Sequence, residues 1–544
     1  MRKAALLPLL FLLTAASPPE LARWRGEAAR VTIARDDWGI AHVHGKSDAD
    51  AVFGMIYAQA EDDFPRIEAN YLTNLGRTAE AEGEKAIWQD LRARLYVSDS
   101  ELKADYARSP LPMRRLMDAW ADGLNYFLAT HPGVHPRVLN RFEPWMALSF
   151  TEGSIGGDIE RVDLNQLQAF YSGKRIAAAL TPWHDPQGSN GIAIAPKLTA
   201  GGRALLLINP HTSWYFRSEL QMRSDEGLNV YGAATWGQFF IYQGFNAHAG
   251  WMHTSSGVDV VDEFAEKIER RGKNYCYRYG PACRPLGARP VTVRYRTADG
   301  RLGARTFMTY RTHHGPIVRS SGERWIAFAM MNKPVEALQQ SFLRTKATDL
   351  ASYLRIAALK ANSSNDTLFA DDKGEIAYLH PQFVPRRDDR FDYTNPVDGS
   401  DQATDWRGLH ALAELPSVAG PPNGWVQNTN AWPYRAAGPY SANPAHFPKY
   451  MDTDGENFRG LHVQQLLTES RGWTLEKLQA AAFDSYQPGF AVLIPSLLQA
   501  YDALPASDVR RERLGAPIAR LRGWNYRWSA DSVLQTLLPH RSRP

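Results

Sequence analysis

The sequence has 544 residues, 44% of them hydrophobic and 22% charged, which is ample apolar material for a large globular core. At about 150 residues per domain, this length corresponds to three or four domain-sized units. Basic and acidic residues nearly balance, 62 against 58, so the net charge of +4 gives no bulk field of the kind nucleic-acid binding needs, and partners must be argued from sites.

Met1-Arg2-Lys3 is followed by an apolar run from Ala4 to Leu13, then by the small residues Thr14-Ala15-Ala16-Ser17 and by Pro18-Pro19. This is the pattern of a cleavable signal peptide, residues 1–16, with the cut after Ala16. The run is too short for a membrane span of about 20 residues, and no later stretch is long and apolar enough for stable membrane insertion. The sequence therefore predicts an exported chain, periplasmic or secreted. Its two cysteines, Cys276 and Cys283, flank a turn-like segment and can close a small local disulfide; two free thiols in a loop are the alternative.

From Ala28 to Arg35 and from Trp38 to Gly45 the chain reads as two strands around an Asp36-Asp37 turn. Ser47 is a plausible N-cap, and apolar residues then recur at helical spacing through Ala51, Phe53, Ile56, Tyr57 and Ala60. About residues 50–180 read as mostly helical by the same test, down to the Ala-rich tail Arg175–Leu180. Gly191–Ala195 and Arg203–Ile208 are short apolar runs flanking Gly201-Gly202, which predicts a β-hairpin covered on both faces. Further strands are expected at Pro290–Tyr295, Thr306–Tyr310 and Trp325–Met330. About residues 395–460, rich in Pro, Gly, Asn and Asp, are expected to be long irregular surface loops.

Ser189 stands in Gln187-Gly188-Ser189-Asn190-Gly191, at the start of the first buried strand. A serine hydroxyl needs a base beside it to become a nucleophile, and a free α-amine on the same residue can supply one. The unperturbed pKa of such an amine, about 7.7–8.0, already lies close to neutral pH. Spacing alone leaves an ordinary loop serine as the alternative.

The stretch from Ser189-Asn190-Gly191 through Gly201-Gly202 to Asn209-Pro210-His211 resembles the start of the catalytic chain of the penicillin acylase family, which includes acyl-homoserine-lactone acylases. Arg35–Val43 and Phe53–Asp62 resemble the opening of that family's smaller chain. Trp251-Met252-His253-Thr254, His314-Gly315-Pro316, Phe369-Ala370-Asp371 and Gly424–Asn428 match in the same order. The resemblance implies an α+β fold, the four-layer αββα sandwich of N-terminal-nucleophile hydrolases, with a mainly helical smaller chain. It also implies that the precursor cuts itself between Gly188 and Ser189. The expected products are a smaller chain of residues 17–171, a spacer of residues 172–188 and a larger chain of residues 189–544, paired as a heterodimer.

By the same resemblance Ser189 attacks a small-molecule amide, an N-acyl-homoserine lactone or a penicillin-like amide, through an acyl-enzyme. The backbone N–H of Ser255 is one expected donor to the oxyanion, and an asparagine side chain is the other. Counting back from Phe369-Ala370-Asp371 places Asp366 at the asparagine position, with Asn365 one residue earlier. A carboxylate facing an oxyanion would repel it, so Asn365 is the expected donor. His211 is expected to hold the α-amine, and Arg387 to support the site, with Arg386 as its alternative. Asp158, Asp259, Val261, Asp262 and Glu375 resemble the oxygen ligands of a structural Ca2+ between the two chains; without the resemblance Asp259-Val260-Val261-Asp262 reads as a solvated turn. No organic cofactor is expected.

Ser100-Glu101-Leu102-Lys103 fits a Ser-x-x-Lys pattern but has no Lys-Thr-Gly partner, and zinc-protease, phosphate-loop and nucleophile-elbow motifs are missing. The rival reading is an inactive family member, unprocessed and acting at most as a binding protein. After Leu521–Ser532 the chain ends in Val533–Pro544, which carries no family pattern and reads as a truncated, out-of-frame tail.

Overall fold

The computed structural model describes residues 17–150, 157–173, 188–213 and 215–532. The expected signal peptide, the Ala-rich tail at 175–180 with most of the spacer, and the C-terminal tail lie outside the described residues. Among the described residues no helix is long and apolar enough to cross a membrane.

Strands Val31–Arg35 and Ala41–Gly45 form the first hairpin, with Arg35 opposite Ala41. Asp36 closes the turn by accepting the backbone N–H groups of Trp38 and Ile40 at 2.9 and 3.0 Å. Ala41, Val43 and Gly45 point inward while His42 and His44 do not, the alternation of a half-buried strand. Helix Asp48–Asn74 follows, capped by Ser47, whose hydroxyl accepts the Asp50 N–H while the Asp50 carboxylate accepts the Ser47 N–H. Asp63 is non-helical just before Pro65, which cannot continue the hydrogen-bond ladder, so the helix kinks there. Further helices at Ile87–Arg94, Asp99–Arg108, Leu111–Thr130 and Leu164–Ser172 make the described residues between 50 and 173 mostly helical, apart from irregular and short 3-10 turns at 131–150 and 157–163.

A nine-stranded sheet runs in the order Val31–Arg35, Ala41–Gly45, Arg217–Ser224, Asn229–Thr235, Gln243–Asn246, Ala249–Ser255, Asn365–Asp371, Ile376–Leu379, Val418–Ala419. Its pairings are antiparallel except between Ala41–Gly45 and Arg217–Ser224. A smaller sheet has Gly188–Ile194 in the middle, flanked by Trp425–Asn428 and Leu205–His211. The hairpin expected around Gly201-Gly202 is present, with Ile194 opposite Leu205 and Gly188 opposite His211.

The two sheets face each other through Ala193, Met252, Leu368, Tyr378 and Val426. Gly191 makes this approach possible, because a Cβ there would lie 2.8 Å from Leu368 and 3.1 Å from Met252. The other face of the small sheet, Ile192, Ile194 and Trp425, packs on Leu467, Trp473 and Leu478 from helices Phe458–Glu469 and Leu475–Ala482 and the turn between them. The other face of the large sheet packs on helices Asp48–Asn74 and Leu111–Thr130. Gly191–Ile194 is thus covered on both sides, which explains the apolar run there. Each fully buried aliphatic side chain in these layers contributes about 1.5–3 kcal/mol.

The segment 395–460 departs from expectation. It is irregular, but Trp425, Val426, Gln427, Asn428 and Thr429 are buried. Pro, Gly and Asn mark irregular backbone, not exposure. The polar groups here are satisfied internally: Asn428 Oδ1 accepts the Thr254 hydroxyl at 2.7 Å and the Asn430 N–H at 2.8 Å. The strands expected near 290, 306 and 325 are present as Gly287–Arg296, Leu302–Arg311 and Arg324–Ala329, and a disulfide joins Cys276 to Cys283.

Candidate active site

Ser189 is the second residue of the central small-sheet strand and is 6% exposed. Its hydroxyl donates to the Gly188 carbonyl oxygen at 2.6 Å, and its N–H donates to Asn430 Oδ1 at 2.6 Å. Asn430 adopts a left-handed conformation, φ 60°, one that asparagine tolerates better than most residues. Four contacts fix it there. Its N–H is taken by Asn428, its Nδ2 donates to the Ser255 carbonyl at 3.0 Å, its Oδ1 also accepts Arg459 at 3.0 Å, and its carbonyl accepts Asn457 Nδ2.

Arg459, in the first turn of helix Phe458–Glu469, ties the assembly together. Its guanidinium also donates to the Ser189 carbonyl at 3.3 Å, to Asn190 Oδ1 at 2.8 Å and to the Thr429 carbonyl at 2.6 Å. Neither Asn430 nor Arg459 was among the residues expected from sequence. The one available signal was Gly424–Asn428, a matched segment that ends two residues before Asn430.

His211 lies near Ser189 but does not hold its nitrogen. It stands opposite Gly188, on the strand face of Asn190, and Nε2 is 3.0 Å from Asn209 Oδ1 and 3.4 Å from Asn190 Nδ2. Strand alternation turns the Ser189 side chain to the other face, and the contact expected of His211 is made by Asn430 instead. Burial, and then the Arg459 cation, hold the imidazole below its ordinary pKa, so it is neutral at pH 7.

Ser189, His211, Ser255 and Asn365 line one cavity of about 690 Å3. Ser255 ends its strand opposite Asn365. Asn365 is fixed by reciprocal bonds with Asn362, whose Oδ1 accepts the Asn365 N–H at 3.1 Å while its Nδ2 donates to the Asn365 carbonyl at 2.7 Å. Asp366 is not on this wall. It is wholly buried on the opposite face of the strand, 3.5 Å from His380 Nδ1. Elsewhere the wall mixes Phe150, Phe216 and Tyr242 with Arg217, Gln238 and His253. The cavity wall is therefore only partly apolar. Burial, with Arg344 and Arg217 nearby, keeps His253 neutral.

Arg387 lies in another cluster. Its buried guanidinium pairs with Asp259 Oδ2 at 3.0 Å and with Asp262 Oδ2 at 3.0 Å, bonds the Asp259 carbonyl, and sits beside the rings of Tyr393 and Tyr450. Arg386 instead pairs with Glu414 at 2.6 Å. Asp259 and Asp262, two of the expected calcium ligands, are thus occupied by a guanidinium. Burial raises both carboxyls, Asp262 to about 7. Asp158 is buried on the cavity wall and accepts the Ser363 hydroxyl at 2.6 Å; Val261 is buried. Glu375 is exposed in the turn after strand Asn365–Asp371, roughly 20 Å along that strand from Asn365. The expected ligand set does not assemble among the described residues, because Arg387 supplies the positive charge between Asp259 and Asp262 and would repel a second cation. The residues present do not fit the calcium ion.

The penicillin amidase family profile matches residues 30–540. Acyl-homoserine lactone acylase PvdQ of Pseudomonas syringae pv. syringae is 25% identical over 583 residues, covering 93% of this chain and 72% of the relative. Penicillin acylase 2 proenzyme of Pseudomonas sp. (strain SE83) is 24% identical, covering 93% of this chain and 70% of the relative. Among solved structures, a thermostable penicillin G acylase from Alcaligenes faecalis matches with a TM-score of 0.51 at 21% identity. That match covers 63% of this chain and 60% of the other, less than two thirds of its length, and bears on the fold alone. With a profile match over nearly the whole chain, this protein belongs to the penicillin amidase family, amidohydrolases acting on carbon–nitrogen bonds other than peptide bonds.

Proposed function

We propose that this chain is a self-processing acylase in which Ser189 first cuts its own backbone and then hydrolyses a small-molecule amide. The observation that carries the reading is the double engagement of Ser189, with its hydroxyl 2.6 Å from the oxygen of the bond to be cut and its nitrogen 2.6 Å from Asn430 Oδ1. In the first reaction Oγ adds to the Gly188 carbonyl carbon, its proton passes to the Ser189 nitrogen as the Gly188–Ser189 C–N bond breaks, and an ester forms. Water hydrolyses the ester to leave Gly188 with a carboxylate and Ser189 with a free α-amine. In the second, that amine, oriented by Asn430, accepts the Oγ proton through a water while Oγ attacks the substrate carbonyl. The proton passes to the leaving amine as the substrate C–N bond breaks, and water then hydrolyses the acyl ester on Oγ to release the acid and restore the hydroxyl. The Ser255 N–H and the Asn365 side chain are the donors for the resulting oxyanion. One such donor is worth about 2.7–4 kcal/mol in a protease studied by mutation.

This reading takes the layer order helix, sheet, sheet, helix as an αββα sandwich and pairs chains 17–171 and 189–544 as a heterodimer in the periplasm. Both named relatives are acylases, and one is named a proenzyme. The substrate class is N-acyl-homoserine lactones or penicillin-like amides. Arg217 and Gln238 on the wall favour short or polar acyl groups over long alkyl chains. A release assay across acyl-homoserine lactones of increasing length, beside phenylacetyl amides, tests this, with kcat/KM expected to fall as the alkyl chain lengthens. A steady rise with length would refute the wall argument, and no release from any amide would refute the acylase reading.

A further inference from the structure

Away from the serine cavity, the turn 312–316 joins strands Leu302–Arg311 and Ile317–Ser321 and carries His313 and His314. The turn is pinned. Thr312 N–H donates to the Gly315 carbonyl at 3.0 Å, and Gly315, at φ 157°, presses so close to strand Arg324–Ala329 that a Cβ would lie 2.2 Å from the Phe328 carbonyl oxygen. The His314 ring stacks on Phe264 at 3.8 Å and 3°, and its Nδ1 is 2.7 Å from Glu266 Oε1. Glu266 is wholly buried and is itself held by the Thr312 hydroxyl at 2.7 Å. His313 Nδ1 is 3.0 Å from the Tyr277 hydroxyl.

With both Nδ1 atoms engaged, the two Nε2 atoms converge on one oxygen. Asp405 Oδ1 is 3.0 Å from His314 Nε2 and 3.6 Å from His313 Nε2, while Oδ2 is taken by the Tyr279 hydroxyl. The three ligand atoms lie within 4.8 Å of one another. A zinc ion with bonds of about 2.0–2.1 Å sets tetrahedral ligand atoms about 3.3 Å apart, and the two observed separations bracket that value. A cavity of about 140 Å3, bounded by these residues with Phe264, Ala329 and Trp406, leaves room for a water as fourth ligand.

We propose that His313, His314 and Asp405 form a divalent transition-metal site matched to Zn2+. Imidazole nitrogens select Zn2+ and its neighbours over Ca2+ and Mg2+. Glu266, Tyr277 and Tyr279 act as the outer partners that fix ring orientation and tautomer, an arrangement metal-binding histidines generally share. The site is independent of Ser189 and of the amidase reading.

The test is calorimetric titration of chelator-stripped full-length protein with Zn2+ alone. One equivalent should bind with a micromolar or tighter Kd, and His313→Ala or Asp405→Asn should each weaken binding at least tenfold. His248→Ala, in the exposed His248–Asp372 pair, should leave it unchanged. Absence of saturable binding, or variants that bind like the wild type, would overturn the site in favour of a metal-free His–Asp hydrogen-bond network. Because misfolding of a variant would mimic loss of a ligand, Co2+ is added to the wild type as a second measure. Intense four-coordinate absorption that Zn2+ displaces supports the proposal, and the weak spectrum of hydrated Co2+ alone overturns it.

Discussion

At Ser189 the geometry assigns separate partners to the two atoms the chemistry uses. The hydroxyl rests on the carbonyl it would attack, and the nitrogen rests on Asn430. Asn430→Ala should therefore slow backbone cleavage and, in whatever fraction matures, depress kcat more than it raises KM; unchanged steady-state kinetics would exclude the positioning role. On the wall opposite, Asn365→Ala should lower kcat about 10²–10³-fold as an oxyanion donor is lost, whereas Asp366→Asn should change kcat little because Asp366 faces His380. The reverse ranking in stopped amide-release assays would exchange their roles. The place of Ser189 at the head of a buried hairpin strand was legible from the apolar runs around Gly201-Gly202, whereas its expected role as nucleophile came from the family resemblance and not from its spacing. Asn430 was not, because one asparagine in an Asn-rich loop carries no periodicity and acquires meaning only when Trp425–Asn428 pairs beside Gly188–Ile194. Arg387 illustrates the converse error. Its sequence position matched a supporting arginine, but side-chain direction sends it to Asp259 and Asp262, and direction is set by tertiary packing.

Among the elements, the central strand of the small sheet is the most constrained. Gly191 sits where the two sheets touch, so Gly191→Ala drives a methyl against Leu368 and Met252. The variant should lose about 1–3 kcal/mol to overpacking, visible as a lower Tm, and a Tm equal to the wild type would show that the sheets yield freely. This strand, its hairpin partner and the capped helix after Ser47 could be read from apolar runs, Gly-Gly and a capping residue, since each is a local signal. Strand Trp425–Asn428 was hidden in a segment whose composition reads as loop. It is only four residues long, and its burial depends on neighbours distant in sequence.

Over the whole molecule, buried carboxyls tie stability to pH. Burial, with Asp366 nearby, pushes Asp452 up to about 8. Between about pH 4, where an unfolded aspartate has lost its proton, and pH 8 the native state retains one more proton than the unfolded state. Stability from this group is therefore present at low pH and is lost as pH rises through that window. Asp452→Asn should flatten the decline in Tm between pH 5 and 8; an unaltered slope would assign the decline to other groups. The same large scale carries the central claim, that two covered sheets present Ser189 for release as a new N-terminus. Intact mass measurement of the exported full-length protein, beside Ser189→Ala, tests it most directly. The account predicts two chains, the larger beginning at Ser189, and a single uncut chain for the variant; a wild-type protein that stays uncut like the variant would contradict it.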